Sequence, residues 1–248
     1  MAEKKATSKT ELPIVQLLPN LLTIGAICAG LTAIRLGLTG DFERAVMFIL
    51  VACVLDGVDG RLARLLKCES KMGAELDSLA DFVNFGIAPP LLIYVWALQD
   101  LSRVGWISVL FFSVCSVIRL ARFNVDLKSD EDKPDSNYFV GVPSPAGALL
   151  VMFPMFASFL FDGHPIVPPE VISAYMAVIG LLMISRIPTW SFKVLTISRD
   201  KVKYLFVGFV LAVAALLTYP WITLVVFDLV YVAGVVWAWK SDRNSKAA

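Results

Sequence analysis

Histidine, paired cysteine and charge are what this chain has least of. Among 248 residues there is one histidine, His164, in the short segment 162–169 (DGHPIVPP), so acid–base catalysis by histidine is not expected. Four cysteines show no paired spacing. Cys28, Cys53 and Cys115 lie in apolar runs, where the thiol acts as a small hydrophobe, and Cys68 follows a basic stretch. Neither a disulfide framework nor a zinc site is indicated. Charged residues make up 17% and hydrophobic ones 58%, whereas a soluble domain carries about a quarter charged and half apolar. Low-complexity tracts, linkers and internal repeats are missing too. The chain therefore reads as one domain, 1–248, with no nucleic acid among its partners. Its first 16 residues have no apolar core of the kind a cleaved signal peptide needs.

What is present is long apolar runs. A bilayer is spanned by roughly 20 apolar residues, and about eight such stretches occur: 17–39, 42–63, 74–98, 104–123, 145–161, 170–187, 204–218 and 221–239. Pro19, Pro143, Pro145, Pro168, Pro169 and Pro220 lie near the proposed helix starts, where a missing N–H costs little. If both termini are cytoplasmic, every lysine and arginine except Arg35, Arg44 and Arg103 falls on the cytoplasmic side, as the positive-inside rule asks. The expectation is an all-α membrane bundle: a cytoplasmic segment 1–16, a six-helix core 17–187 and two additional helices within 204–239. The segment 11–18 is suited to a short interfacial helix, and 126–137 (DLKSDEDKPDSN), with Lys133, to a solvated connector.

Against this apolar background stand Asp56, Asp59, Asp77 and Asp81. One carboxylate in a membrane helix costs roughly 2.5–3.5 kcal/mol, so four cost on the order of 10 kcal/mol without compensation. Asp56 and Asp59 are three residues apart, Asp77 and Asp81 four apart, which puts each pair on one helical face. Both pairs lie near the cytoplasmic ends of consecutive antiparallel helices joined by the basic stretch 61–71. Oxygen donors without Cys or His suit magnesium, manganese or calcium, and two such ions can clamp a diphosphate. Gly60 and Ala63 share the face of Asp56 and let a substrate approach the backbone; Arg64 follows, placed for a phosphate, and Gly73 opens the next helix. Asn20 and Thr23 are placed to face the same site across the first helix. Membrane aspartates also serve divalent-cation transporters, but those sites lie near the midplane between repeated halves.

The string Asp56-x-x-Asp59-Gly60-x-x-Ala63-Arg64, eight residues, then Gly73-x-x-x-Asp77-x-x-x-Asp81 is similar, without departure, to the signature of the CDP-alcohol phosphotransferase family. That resemblance implies a helical membrane enzyme, usually a homodimer, whose site faces the cytoplasm and holds two divalent cations, magnesium or manganese, with calcium as a non-productive occupant. It implies transfer of a phosphatidyl-type group from a CDP-linked donor to an alcohol with release of CMP. Asp56, Asp59, Asp77 and Asp81 would be metal ligands, Asp81 also the base, and Gly60, Ala63 and Arg64 part of the nucleotide site.

The segments 18–23 (LPNLLT), 80–89 (ADFVNFGIAP), 119–124 (RLARFN) and 139–145 (FVGVPSP) resemble the bacterial members of that family that take CDP-diacylglycerol as donor and L-serine as acceptor. For such an acceptor the carboxylate needs a cation, which Arg119 or Arg122 can supply; Asn84, three residues past Asp81, can orient it. Asn124 and Gly141 are weaker acceptor candidates. Glycerol phosphate or inositol phosphate remains an alternative acceptor, and would demand a denser basic pocket. The expected place is the cytoplasmic (inner) membrane.

Overall fold

The structure is a computed structural model and describes residues 17–129, 138–161, 163–185, 188–190 and 202–247. The segment 1–16, most of the proposed interfacial helix and the connector with Lys133 lie outside the described residues. Helix α1 is Leu18–Leu38, α2 is Phe42–Leu65 and α3 is the continuous helix Lys71–Leu101. After it come α4 (Ser102–Ser129), α5 (Ser144–Phe159), α6 (Pro169–Ile184), α7 (Val202–Thr218) and α8 (Pro220–Ala247). Among the described residues, eight helices stand where eight apolar runs are expected. Four stretches within them are long and apolar enough to cross a membrane, namely Leu18–Leu38, Lys71–Leu101, Arg103–Val125 and Pro220–Lys240.

Among the described residues, the fold departs from all-α at one place. Strands β1 (Tyr138–Val140) and β2 (Pro188–Trp190) pair antiparallel, Tyr138 opposite Trp190 and Val140 opposite Pro188. The pairing ties the segment before α5 to the segment after α6, so the two helices form a hairpin whose open end is closed by backbone hydrogen bonds. Two such short runs carry no alternation a sequence reading could detect.

Helix starts follow the expected chemistry. Pro19, Pro145, Pro169 and Pro220 sit in the first turns of α1, α5, α6 and α8. Asp41 caps α2 through the Arg44 amide at 3.3 Å, and Ser70 caps α3 through the Gly73 amide at 2.9 Å. Prolines inside helices leave carbonyls without donors, and here neighbouring helices supply them. Pro90 cannot donate to Gly86, and the chain loosens into a wide turn over Phe82–Ile87; Ser113 Oγ of α4 donates to the Gly86 carbonyl at 2.8 Å. Pro154 cannot donate to Leu150, and Tyr175 Oη of α6 takes that carbonyl at 2.7 Å. In a bilayer no water would do this.

Helix α2 ends in a Schellman motif. The Cys68 amide donates to the Ala63 carbonyl (3.0 Å) and the Lys67 amide to that of Arg64 (3.2 Å). Lys67 holds the left-handed position at φ 51°, where glycine is usual. A side chain there costs about 1–2 kcal/mol, while glycine would lose roughly 0.5–1 kcal/mol through the freer unfolded chain. Lys67→Gly is therefore expected to stabilise by about 0.5–1 kcal/mol, seen as a higher thermal midpoint of the purified protein.

The core lies between the first six helices and is filled by Ile49, Leu92, Phe112, Met155, Phe156 and Met176, each at most 1% exposed. Helix α1 packs along α2 and also touches α3, whereas α2 and α3 make few contacts with each other. The two aspartate helices are thus held mainly through α1 rather than by direct packing. Helix α8 packs along α5 and touches β2; α7 packs on α8 and shows large apolar side chains outward, Phe206 at 70% exposure and Leu217 at 80%. Such a face is matched to lipid rather than water.

Candidate active site

The aspartates gather where α1, α2 and α3 meet. Asp59 is buried, and its carboxylate accepts from Thr23 Oγ1 on α1 and from the Gly60 amide, both at 2.5 Å. Asp56 and Asp81, from different helices, bring their carboxyl groups to hydrogen-bonding range, and Asp77 lies close enough to interact with both. Asp56 Oδ1 and Asp81 Oδ1 are buried and receive no hydrogen bond. Carboxylate oxygens pressed together without donors are the signature of a site that wants a cation. Among the described residues no three acidic, His or Cys side chains already meet at the ligand distances of one ion. The donor set nonetheless fits hard divalent ions, being oxygen only and partly orphaned.

One side of this cluster is open. A methyl group built on Gly57 or Gly60 would meet nothing within 4 Å, so backbone and aspartates are approachable together. Arg64 lies exposed on that face, its Nε donating to the Gly60 carbonyl at 3.1 Å. Ala63 lies at the end of α2, its carbonyl engaged by Cys68. Gly73 faces α1: a Cβ there would stand 3.1 Å from Asn20 Oδ1, so a side chain would crowd the α1–α3 approach. Asn20 therefore lies across from the start of α3, one turn from Thr23.

The acceptor candidates separate. Arg119 on α4 lies beside Asp81, with Nη1 donating to Ser144 Oγ at the start of α5 and Nε buried without a partner. Arg122, one turn on, donates to the Ile184 carbonyl at 3.0 Å and so closes the C-terminal end of α6. Asn124 donates to Ser78 Oγ at 3.0 Å and joins α4 to α3 next to Asp77. Asn84 is fully buried, with neither amide atom hydrogen-bonded, and its Oδ1 rests against Gly30 of α1, where any Cβ would collide with it. Gly141 has φ 83°, and a Cβ there would come within 2.6 Å of the Met183 carbonyl. Its need for glycine is met by backbone geometry and by packing on the end of α6. His164 is exposed, away from this cluster.

Three residues escaped the sequence reading. Gly30 makes room for Asn84, Ser144 takes Arg119, and Tyr231 of α8 lies within electrostatic reach of Arg119. The available signal was the polar pair Asp228 and Tyr231, three apart on one face of an otherwise apolar helix.

Comparison with known proteins identifies the family. The sequence matches the CDP-alcohol phosphatidyltransferase family over residues 16–239. It is 36% identical over 231 residues to a CDP-diacylglycerol–serine O-phosphatidyltransferase of Mycobacterium tuberculosis, spanning 92% of this chain and 80% of that one. Proteins of the same name from Bacillus subtilis and Helicobacter pylori are 37% and 34% identical over 177 residues, 71% of this chain and 91% and 73% of theirs. A match across nine-tenths of its length means that the chain belongs to the CDP-alcohol phosphatidyltransferase family.

Proposed function

We propose that the protein transfers the phosphatidyl group of CDP-diacylglycerol to the hydroxyl of L-serine, giving phosphatidylserine and CMP. The observation that carries this reading is the placement of orphaned carboxylate oxygens on Asp56 and Asp81 near a buried guanidinium, Arg119, whose Nε has no partner. The names of those relatives carry the same donor and acceptor. One guanidinium suits one carboxylate. A phosphorylated polyol would call for more basic groups, and Arg122 is already bound to the Ile184 carbonyl.

Asp56, Asp59, Asp77 and Asp81 would hold two divalent cations, which neutralise the donor's diphosphate and stabilise the charge that develops on transfer. Gly57 and Gly60 leave room for the nucleotide end of the donor, and Arg64 meets its phosphate. The serine oxygen bonds to the phosphorus that bears the diacylglycerol, the bond from that phosphorus to the CMP oxygen breaks, and the hydroxyl proton passes to Asp81. The reading includes eight membrane spans with both ends in the cytoplasm, a site facing that side of the inner membrane, and a homodimer. The spans and their orientation are supported by the positive-inside distribution and by the hairpin that β1 and β2 close at one end of the bundle; the homodimer rests on the family resemblance alone.

The test is CMP release by purified protein given CDP-diacylglycerol, magnesium or manganese, and in turn L-serine, glycerol 3-phosphate or inositol phosphate. Release with serine alone, together with phosphatidylserine by mass spectrometry, is expected. Release only with a phosphorylated polyol would refute the acceptor.

A further inference from the structure

We propose that Tyr231, on the last helix, completes with Arg119 and Ser144 the clamp that holds the acceptor's carboxylate, which makes α8 part of acceptor selection. The inference rests on the serine reading above and deepens it.

Tyr231 Oη is buried and makes no hydrogen bond. On one side its ring walls an apolar cavity of about 160 Å³ lined by Val142, Leu150, Ile179 and Leu182, which offers the hydroxyl no acceptor. The charged group it interacts with is Arg119, and Arg119 Nε is itself buried without a partner. Arg119 Nη1 is spent on Ser144 Oγ, which leaves the Ser144 proton available to a third oxygen. The Arg119 N–H, the Tyr231 O–H and the Ser144 O–H thus form a group of donors around a cation. A buried donor left unsatisfied is costly, and the group that satisfies several donors at once while adding none is a carboxylate, with about four lone-pair positions on two oxygens.

Position favours the acceptor over other anions. Arg119 is within electrostatic reach of both Asp81 and Tyr231, and Asp81 Oδ1 receives no hydrogen bond. Serine carries its hydroxyl and its carboxylate on adjacent carbons of one short chain. With the carboxylate on Arg119 and Tyr231, the hydroxyl is directed towards Asp81. The lipid donor's phosphate has the same oxyanion chemistry, and kinetics can tell the two apart.

The experiment uses the full-length enzyme in lipid nanodiscs with saturating metal. Tyr231→Phe removes one oxygen and keeps the cavity wall. A hydrogen bond to a charged group, once lost, corresponds to a roughly ten- to hundredfold change. The KM for serine is therefore expected to rise by that factor while kcat, the KM for CDP-diacylglycerol and the melting temperature stay within about twofold or a degree or two of wild type. Ethanolamine, which lacks the carboxylate, should gain on serine as an acceptor by a similar factor. Ser144→Ala is expected to shift the same constant if Tyr231→Phe cannot be purified. An unchanged serine KM, or a donor KM that rises instead, overturns the clamp, the latter by moving it to the lipid phosphate. Wild-type enzyme with no serine-dependent CMP release would sink the serine reading itself and the clamp with it.

Discussion

Asp56→Asn is expected to lose turnover by about a thousandfold or more and, at the same time, to raise the thermal stability of the metal-free protein. The loss follows from removing one charged oxygen from a site whose charge stabilisation and proton acceptance are each worth about 10²–10⁴ in rate. The gain follows from the neighbours. Asp56 and Asp81 face each other with one oxygen apiece buried and without a donor. An asparagine of the same shape supplies an N–H to Asp81 and removes one of two repelling charges. Relieving such an unsatisfied buried group is worth roughly 1–3 kcal/mol, or several degrees at about 2–4 °C per kcal/mol for a chain of this size. The two readouts, CMP release and a melt in chelator, separate a functional cluster from a structural one. If the carboxylates held the helices together, Asp56→Asn would melt lower, not higher. Added magnesium should narrow the difference, because the wild-type cluster gains more from a cation than the variant does.

The helices were legible because the apolar runs and the prolines that start them are local signals. Bounds agree to within a few residues at α1, α5 and α6. Helix α2 runs on to Leu65, into the basic stretch 61–71 expected to join the two helices, because Lys67 ends it by adopting a left-handed conformation that its residue type does not advertise. The four aspartates were legible because an uncompensated charge in an apolar helix is rare. Their mutual arrangement was not, since it depends on α1 lying against both of their helices, and the sequence of α1 offers only Asn20 and Thr23 as polar residues placed to face the site. Asn84 could be read either as acceptor ligand or as packing. Its contact with Gly30, more than fifty residues away, is visible only once α1 and α3 are folded together. Tyr231 lies further still, on a helix that composition alone made look peripheral, and only packing along α5 brings it beside Arg119.

The same dependence on tertiary contact gives the second large effect. Arg119 and Arg122 are one turn apart and equivalent in sequence, yet Arg119→Lys and Arg122→Lys are expected to behave differently. Arg119 uses its planar fork: Nη1 reaches Ser144 while Nε is buried and unpartnered, with both Asp81 and Tyr231 within electrostatic reach. Lysine keeps the charge but cannot hold a hydroxyl and a carboxylate in two fixed directions. Losing the bidentate geometry is expected to lower kcat/KM for serine by about a hundredfold or more, with most of the loss in serine KM. Arg122 spends its guanidinium on the Ile184 carbonyl, closing the end of α6. There lysine can still reach a single carbonyl, so the expected cost is about 0.5–1.5 kcal/mol of stability, with kcat/KM within about threefold of wild type. Kinetics with serine as the varied substrate, and a melt of each variant, read both effects in one series. A larger kinetic loss in Arg122→Lys than in Arg119→Lys would mean that the acceptor lies on the α6 side of α4, against Ile184 rather than between Asp81 and Tyr231. Equal loss in both would mean that the two guanidinium groups act together on a more highly charged acceptor, which is the behaviour a phosphorylated polyol would require.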